Sequence, residues 1–231
     1  MKICLALSIA LVVAGPQAQA PKPAQRVLHI LFIGNSLTSV PDLPALVQSL
    51  AKSAGVDLAC ESIAKPDFSL EDHWNDGRAL RAVRKGGWSL VILQQGPSAM
   101  ADSQVLLREY TKRFDAEIKK TGARTALYMV WPSKARAQDF DGVSRSYTNA
   151  AKDVGGLLFP VGDAWRAAWA RDPTLALYSP DGLHPTREGT YLAALVILQR
   201  AFGIPPAGLP APGINADLAR LLQQAAADLT R

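Results

Sequence analysis

Short, mostly apolar segments that close on turn residues alternate along this chain with longer segments whose apolar positions recur at helical spacing. The short segments are residues 27–33, 56–64, 88–93, 124–131 and 157–161. Apolar runs of this length, ending at glycine or proline turns, are the pattern of strands buried on both faces of a parallel sheet. The longer segments predict helices. Leu43, Leu46, Val47, Leu50, Ala51 and Ala54 make one apolar stripe, with Pro44 in its first turn and Gly55 just beyond its end. Ser69 and Asp72 form a capping box that opens a helix over 69–85, stopped by Gly86 and Gly87. Further helices are predicted over 102–120, 141–154, 163–170 and 188–202. After a proline-rich connector at 205–212, a last helix over 215–229 carries Leu218, Leu221, Leu222 and Ala225 at helical spacing and should pack back on the domain. Strands alternating with helices predict an α/β fold: one parallel sheet covered on both faces, with no internal repeat and no second domain boundary.

The first twenty residues are of another kind. Lys2 precedes an apolar run over 3–14, then Gly15-Pro16 and Ala18-Gln19-Ala20. This reads as a secretory signal peptide with a small-residue cleavage site, too short in its apolar part to span a bilayer. Cys4 sits at the front of that run and is not read as a lipid-attachment site, so no membrane anchor is expected. The mature chain should begin at Pro21, with a flexible leader over 21–26 and a single domain over 27–231, exported to the periplasm or beyond. Its roughly 210 residues suffice for one full core.

The chain carries 25 Lys and Arg against 20 Asp and Glu, a formal charge of +5. The excess is spread along the sequence. Its densest groupings, Arg78-Arg81-Arg84-Lys85 and Arg108-Lys112-Arg113, have the helical spacing of a solvated face. A nucleic-acid surface would want a tighter cluster with stacking aromatics, so no nucleic-acid partner is expected. After cleavage Cys60 is alone, which precludes an intramolecular disulfide. His29, His73 and His184 lie far apart and no Cys or His pair has ligand spacing, so no metal is expected.

The first strand runs into Gly34-Asn35-Ser36, where small and turn-forming residues permit a sharp bend. Ligands of open α/β sheets bind beyond the carboxyl ends of the strands. Ser36 stands at such an edge, as a nucleophile or merely as a cap for the next element. A second feature favours the nucleophile. Asp181-Gly182-Leu183-His184 places a carboxylate three residues before an imidazole, in a loop stiffened by Pro180 and Pro185. A serine hydroxyl needs a neighbouring base, and that base needs an orienting group. His184 as base and Asp181 as orienter supply both. Trp131 and His73 are weaker candidates for the border of a pocket; core packing for Trp131 and a cap or surface place for His73 are the simpler expectations.

Gly34-Asn35-Ser36-Leu37 resembles the GDSL block of the SGNH hydrolases, with Asn in place of Asp, and Asp181-Gly182-Leu183-His184-Pro185 resembles that superfamily's C-terminal block. Looser likenesses to an often exported bacterial branch lie at 69–74, 91–95 and 160–165, and together the blocks cover nearly the whole mature chain in order. The resemblance implies a flavodoxin-like three-layer α/β/α sandwich of about five parallel strands that hydrolyses esters without a cofactor. It implies Ser36, Asp181 and His184 as the catalytic residues, and an oxyanion hole built from the Ser36 N–H and two further blocks. Here the chain departs from the pattern. Asp67 stands nearest to the usual glycine donor, where its carboxylate must face away from the oxyanion. Gln94 and Gln95 replace the usual asparagine, and either could supply the side-chain donor.

The expectation is therefore an exported serine esterase acting on short-chain esters, acetyl above all, of small molecules or carbohydrate. A non-catalytic glycan-binding or scaffold protein on the same fold, and a sugar O-acyltransferase using the same triad, are the alternatives.

Overall fold

The computed structural model describes residues 27–229. The expected signal peptide and leader lie outside the described residues. Five strands, β1 (Leu28–Gly34), β2 (Leu58–Ala64), β3 (Leu90–Leu93), β4 (Arg124–Met129) and β5 (Leu157–Pro160), form one sheet in the order β2-β1-β3-β4-β5, every pair parallel. The strands of the interior are buried at almost every position, Ile30 to Gly34 in β1 and Leu90 to Leu93 in β3. Their side chains meet helices on both faces, hence the unbroken apolar runs. This is the expected α/β/α architecture, with the strand order of the flavodoxin type.

Between the strands run α1 (Ser36–Ser39), α2 (Leu43–Ser53), α3 (Leu70–Asp76), α4 (Arg78–Lys85), α5 (Ala101–Lys120) and α6 (Phe140–Val154), and after β5 come α7 (Val161–Arg171), α8 (Arg187–Phe202) and α9 (Ala216–Asp228). α2, α8 and α9 pack in one group joined by α7, while α3, α4 and α6 pack on α5 in another. α8 is buried from Gly189 through Leu198, as a helix apolar all round must be. α9 rests on α7 and α8 through Ala219, Leu222, Ala225 and Ala226, as its spacing predicts.

Two boundaries differ from the sequence-based expectation. The helix expected over 69–85 is two helices, broken at Gly77, whose φ of +77° lies in the left-handed region. The apolar pattern continues through the break because both halves bury one stripe: Leu70 and His73, then Ala79 and Val83. The capping box at Ser69 and Asp72 is present as expected. Between β4 and α6 the chain also winds a short 3-10 turn, Lys134–Asp139, too brief to leave a periodic signal.

The chain leaves β1 towards β2 on one side of the sheet, then crosses to β3 on the other. The carboxyl ends of β1 and β3 therefore flank a topological switch point, where doubly wound sheets place their ligands. Ser36 follows β1 and Gln94 follows β3 at that point.

Candidate active site

Gly34 ends β1 with no room for a side chain: a Cβ there would lie 2.4 Å from Gln94 Oε1 and 2.5 Å from Thr38 Oγ1. Close approach of Gln94 thus makes the glycine necessary. Gln94 is fully buried and clamps the turn. Its Oε1 accepts from Asn35 N and from Thr38 Oγ1, both at 2.8 Å, and its Nε2 donates to Asn35 Oδ1 at 2.9 Å and Gln95 O at 2.7 Å. Asn35 Oδ1 also accepts from Leu37 N at 3.1 Å, and Asn35 Nδ2 donates to Phe68 O at 3.2 Å, tying the turn after β1 to the loop after β2. Ser36 opens α1 half-buried, its position set by these neighbours.

Gln95 is engaged elsewhere. Its Nε2 donates to Ser98 Oγ at 2.9 Å and Ser103 O at 3.3 Å, and its Oε1 accepts from Leu70 N at 3.1 Å. The buried Tyr147 hydroxyl receives Gln95 N at 3.1 Å and donates to Gln95 O at 2.5 Å. Both glutamine amides therefore spend their N–H groups inside the fold, and an oxyanion role for either requires giving up one of these bonds.

His73 is buried rather than at a surface or cap. Its Nε2 lies 2.7 Å from Gly34 O, so the ring donates there, and its Nδ1 is buried with no partner. Burial pushes its pKa down, the Gly34 hydrogen bond opposing; the ring is neutral. The edge of its ring meets Phe68, with centroids 5.1 Å apart. The sequence held one signal for this: a spacing of three from Leu70 places His73 on the buried stripe.

The C-terminal loop is held from within and from the segment that follows β4. Tyr178 and Pro185 form a bridge, Ser179 N donates to His184 O at 2.8 Å, and Gly182 takes a φ of +69°. Asp181 Oδ1 accepts from Leu183 N at 2.8 Å, His184 N at 3.0 Å and Ser179 Oγ at 2.7 Å. Asp181 Oδ2 lies 2.6 Å from His184 Nδ1. The backbone N–H of Leu183, then the His184 ring and the Ser179 hydroxyl, hold the Asp181 carboxyl far below the usual carboxylate range. An ionised Asp181 fixes the proton on Nδ1 and leaves Nε2 with its lone pair free. Tyr178 Oη donates to Pro132 O at 2.6 Å, Trp131 Nε1 to Leu183 O at 2.9 Å and Lys134 N to Gly182 O at 2.8 Å. Trp131 is core-packed, stacked on Trp165 at 3.7 Å, yet its indole N–H also anchors this loop.

Ser36, Asp67, Gln95 and Leu183 line one open cleft of about 600 Å³ with Phe68, Pro97, Met100, Leu106, Ser133, Arg136 and Asp139. No hydrogen bond joins Ser36 Oγ to His184 among the described residues; Leu183, the residue before His184, shares the cleft with Ser36. Asp67, exposed at the rim, takes a φ of +64°, and Ser98 one of +57°. Backbone strain of this kind costs roughly 1–3 kcal/mol per residue and concentrates at ligand sites. Neither the Ser36 nor the Asp67 N–H donates to a protein acceptor among the described residues. Among the same residues, no group of three or more His, Cys, Asp or Glu side chains is placed to hold a metal ion.

No family model matches the sequence, and no curated protein matches it. Solved structures do. A DUF4886 family protein from Bacteroides uniformis is similar over 89% of this chain and 95% of its own, at 18% identity and a TM-score of 0.77. A protein assigned to the SGNH hydrolases, from Slackia heliotrinireducens, is similar over 76% of this chain and 100% of its own, at 26% identity and a TM-score of 0.64. A variant of an acetyl-xylooligosaccharide esterase from Geobacillus is similar over 76% and 94%, at 16% identity and a TM-score of 0.58. The chain has the α/β/α fold of the SGNH/GDSL hydrolases, the superfamily that its first and last sequence blocks resemble.

Proposed function

We propose that the chain is an exported serine esterase that hydrolyses short-chain esters, acetyl above all, carried on carbohydrate. The observation that carries this reading is the 2.6 Å contact of Asp181 with His184 Nδ1, in a loop whose Leu183 shares the cleft with Ser36. Ser36 Oγ attacks the acyl carbon and His184 Nε2 takes its proton; the contact closes when substrate fills the cleft, since such bonds are often long in the free enzyme. The N–H groups of Ser36 and Asp67, both without a protein acceptor, receive the oxyanion, a term worth roughly 3 kcal/mol per donor. His184 then returns the proton to the leaving alcohol, and water releases the acid from Ser36 by the same route. The fold of an acetyl-xylooligosaccharide esterase among the similar structures agrees with a sugar acetate as substrate. The apolar run at 3–14 supports export.

The test is turnover of 4-nitrophenyl acetate, butyrate, octanoate and palmitate by wild type and Ser36→Ala. Wild type should favour acetate in kcat/KM and Ser36→Ala should lose turnover of every ester. Wild-type activity in Ser36→Ala refutes the mechanism, and kcat/KM rising steadily to palmitate refutes the short-acyl preference.

A further inference from the structure

We propose that Arg136 and Asp139 form the subsite for the leaving alcohol, and that the pair fits adjacent hydroxyls of a neutral sugar. This rests on the esterase reading. The base that activates Ser36 later protonates the leaving oxygen, so the alcohol must sit beside His184, away from the oxyanion donors. Those donors follow β1 and β2. The sheet order puts the loop after β4 on the other side of the switch point, and that loop contributes Pro132, Ser133, Arg136 and Asp139 to the cleft, next to Leu183. The loop is also fixed relative to His184: Lys134 N donates to Gly182 O at 2.8 Å, and Arg136 N to Ser133 O at 2.8 Å.

The chemistry of the pair selects the ligand. Arg136 Nε donates to Asp139 Oδ2 at 2.6 Å, and Nη2 lies 2.8 Å from Met100 Sδ. Nη1 and the second carboxylate oxygen, Asp139 Oδ1, have no protein partner among the described residues. The guanidinium thus keeps three unspent N–H donors, two on Nη1 and one on Nη2, and the carboxylate keeps Oδ1 as an acceptor, on two residues that both line the cleft. An anionic substrate gains little there, because the carboxylate cancels the guanidinium and repels a second negative group. A hydroxyl pair suits it: one oxygen accepts from the guanidinium while the next hydroxyl donates to the carboxylate. Charge-assisted bonds of this kind are about twice as strong as neutral ones.

Two acetates of similar ring size separate the possibilities: a mono-O-acetylated methyl glycoside with free adjacent hydroxyls, and cyclohexyl acetate. Wild type should favour the glycoside in kcat/KM by about tenfold or more. Arg136→Gln and Asp139→Asn should each shrink that ratio towards one. Arg108→Gln, an exposed position paired with Asp153, should leave the ratio intact. A wild-type ratio near one, or an unchanged ratio in both cleft variants, overturns the subsite while the esterase reading stands. Failure to hydrolyse either acetate, together with no fluorophosphonate adduct on Ser36, overturns both.

Discussion

Gln94 spends its whole amide on the turn that carries Ser36, and this decides what its removal does. Gln94→Ala leaves Asn35 N and the Thr38 hydroxyl without partners in a buried place, and Asn35 Oδ1 with Leu37 N alone. Each such group costs roughly 1–3 kcal/mol, so the variant should lose several kcal/mol in a urea titration. Lost kcat at unchanged stability would instead point to an amide that reaches the oxyanion. Gln95→Ala strands chiefly Leu70 N and should cost about 1–3 kcal/mol by the same measurement. Asp181→Asn turns an N–H towards Nδ1, forces the other imidazole tautomer and should lower kcat by roughly 10³–10⁴-fold in steady-state assays. Ser36, Asp181 and His184 could be nominated as candidates from sequence because acyl transfer demands those residue types in such turns. The glutamines could not be sorted, because a side-chain amide serves an oxyanion and a backbone clamp equally well. Only the count of hydrogen bonds around Gln94 and Gln95 separates the two uses.

The strands were legible because burial on both faces leaves β1 and β3 unbroken apolar runs. The break at Gly77 was not, since the apolar stripe passes through it and a lone glycine within a helical pattern is tolerated. Nor was the 3-10 turn at Lys134–Asp139, which buries no residue and so writes no pattern. α3 carries His73 under the Ser36 turn, with a testable consequence for pH. An unfolded histidine takes up its proton near pH 6.5, whereas burial holds His73 below that value. Between the two values the unfolded chain binds more protons, so stability is present above about pH 6.5 and is lost as the pH falls towards the folded value. His73→Gln can keep a donor near Gly34 O but cannot titrate. Its urea midpoint should fall less than that of wild type between pH 7.5 and 5.5. Equal falls would show that His73 contributes nothing to the acid sensitivity.

At the scale of the molecule, a parallel sheet brings the turn after β1, the loops after β2, β3 and β4, and the loop at 178–185 to one edge. Residues as distant in sequence as Ser36 and Leu183 share a cleft for that reason. Among the described residues no helix is long and apolar enough to cross a membrane. The cleft is open, so a long acyl chain would stay partly in water and each methylene would add less than the roughly 0.8 kcal/mol of full burial. Short acyl groups are therefore expected to be preferred. All of this hangs on whether Ser36 is a nucleophile activated by His184. The most direct measurement is peptide mapping by mass spectrometry after labelling with a fluorophosphonate. One adduct is predicted on the peptide that contains Ser36, absent from Ser36→Ala and formed far more slowly in His184→Ala. An unlabelled protein, or an adduct on Ser98 or Ser133 that persists in Ser36→Ala, would contradict the account.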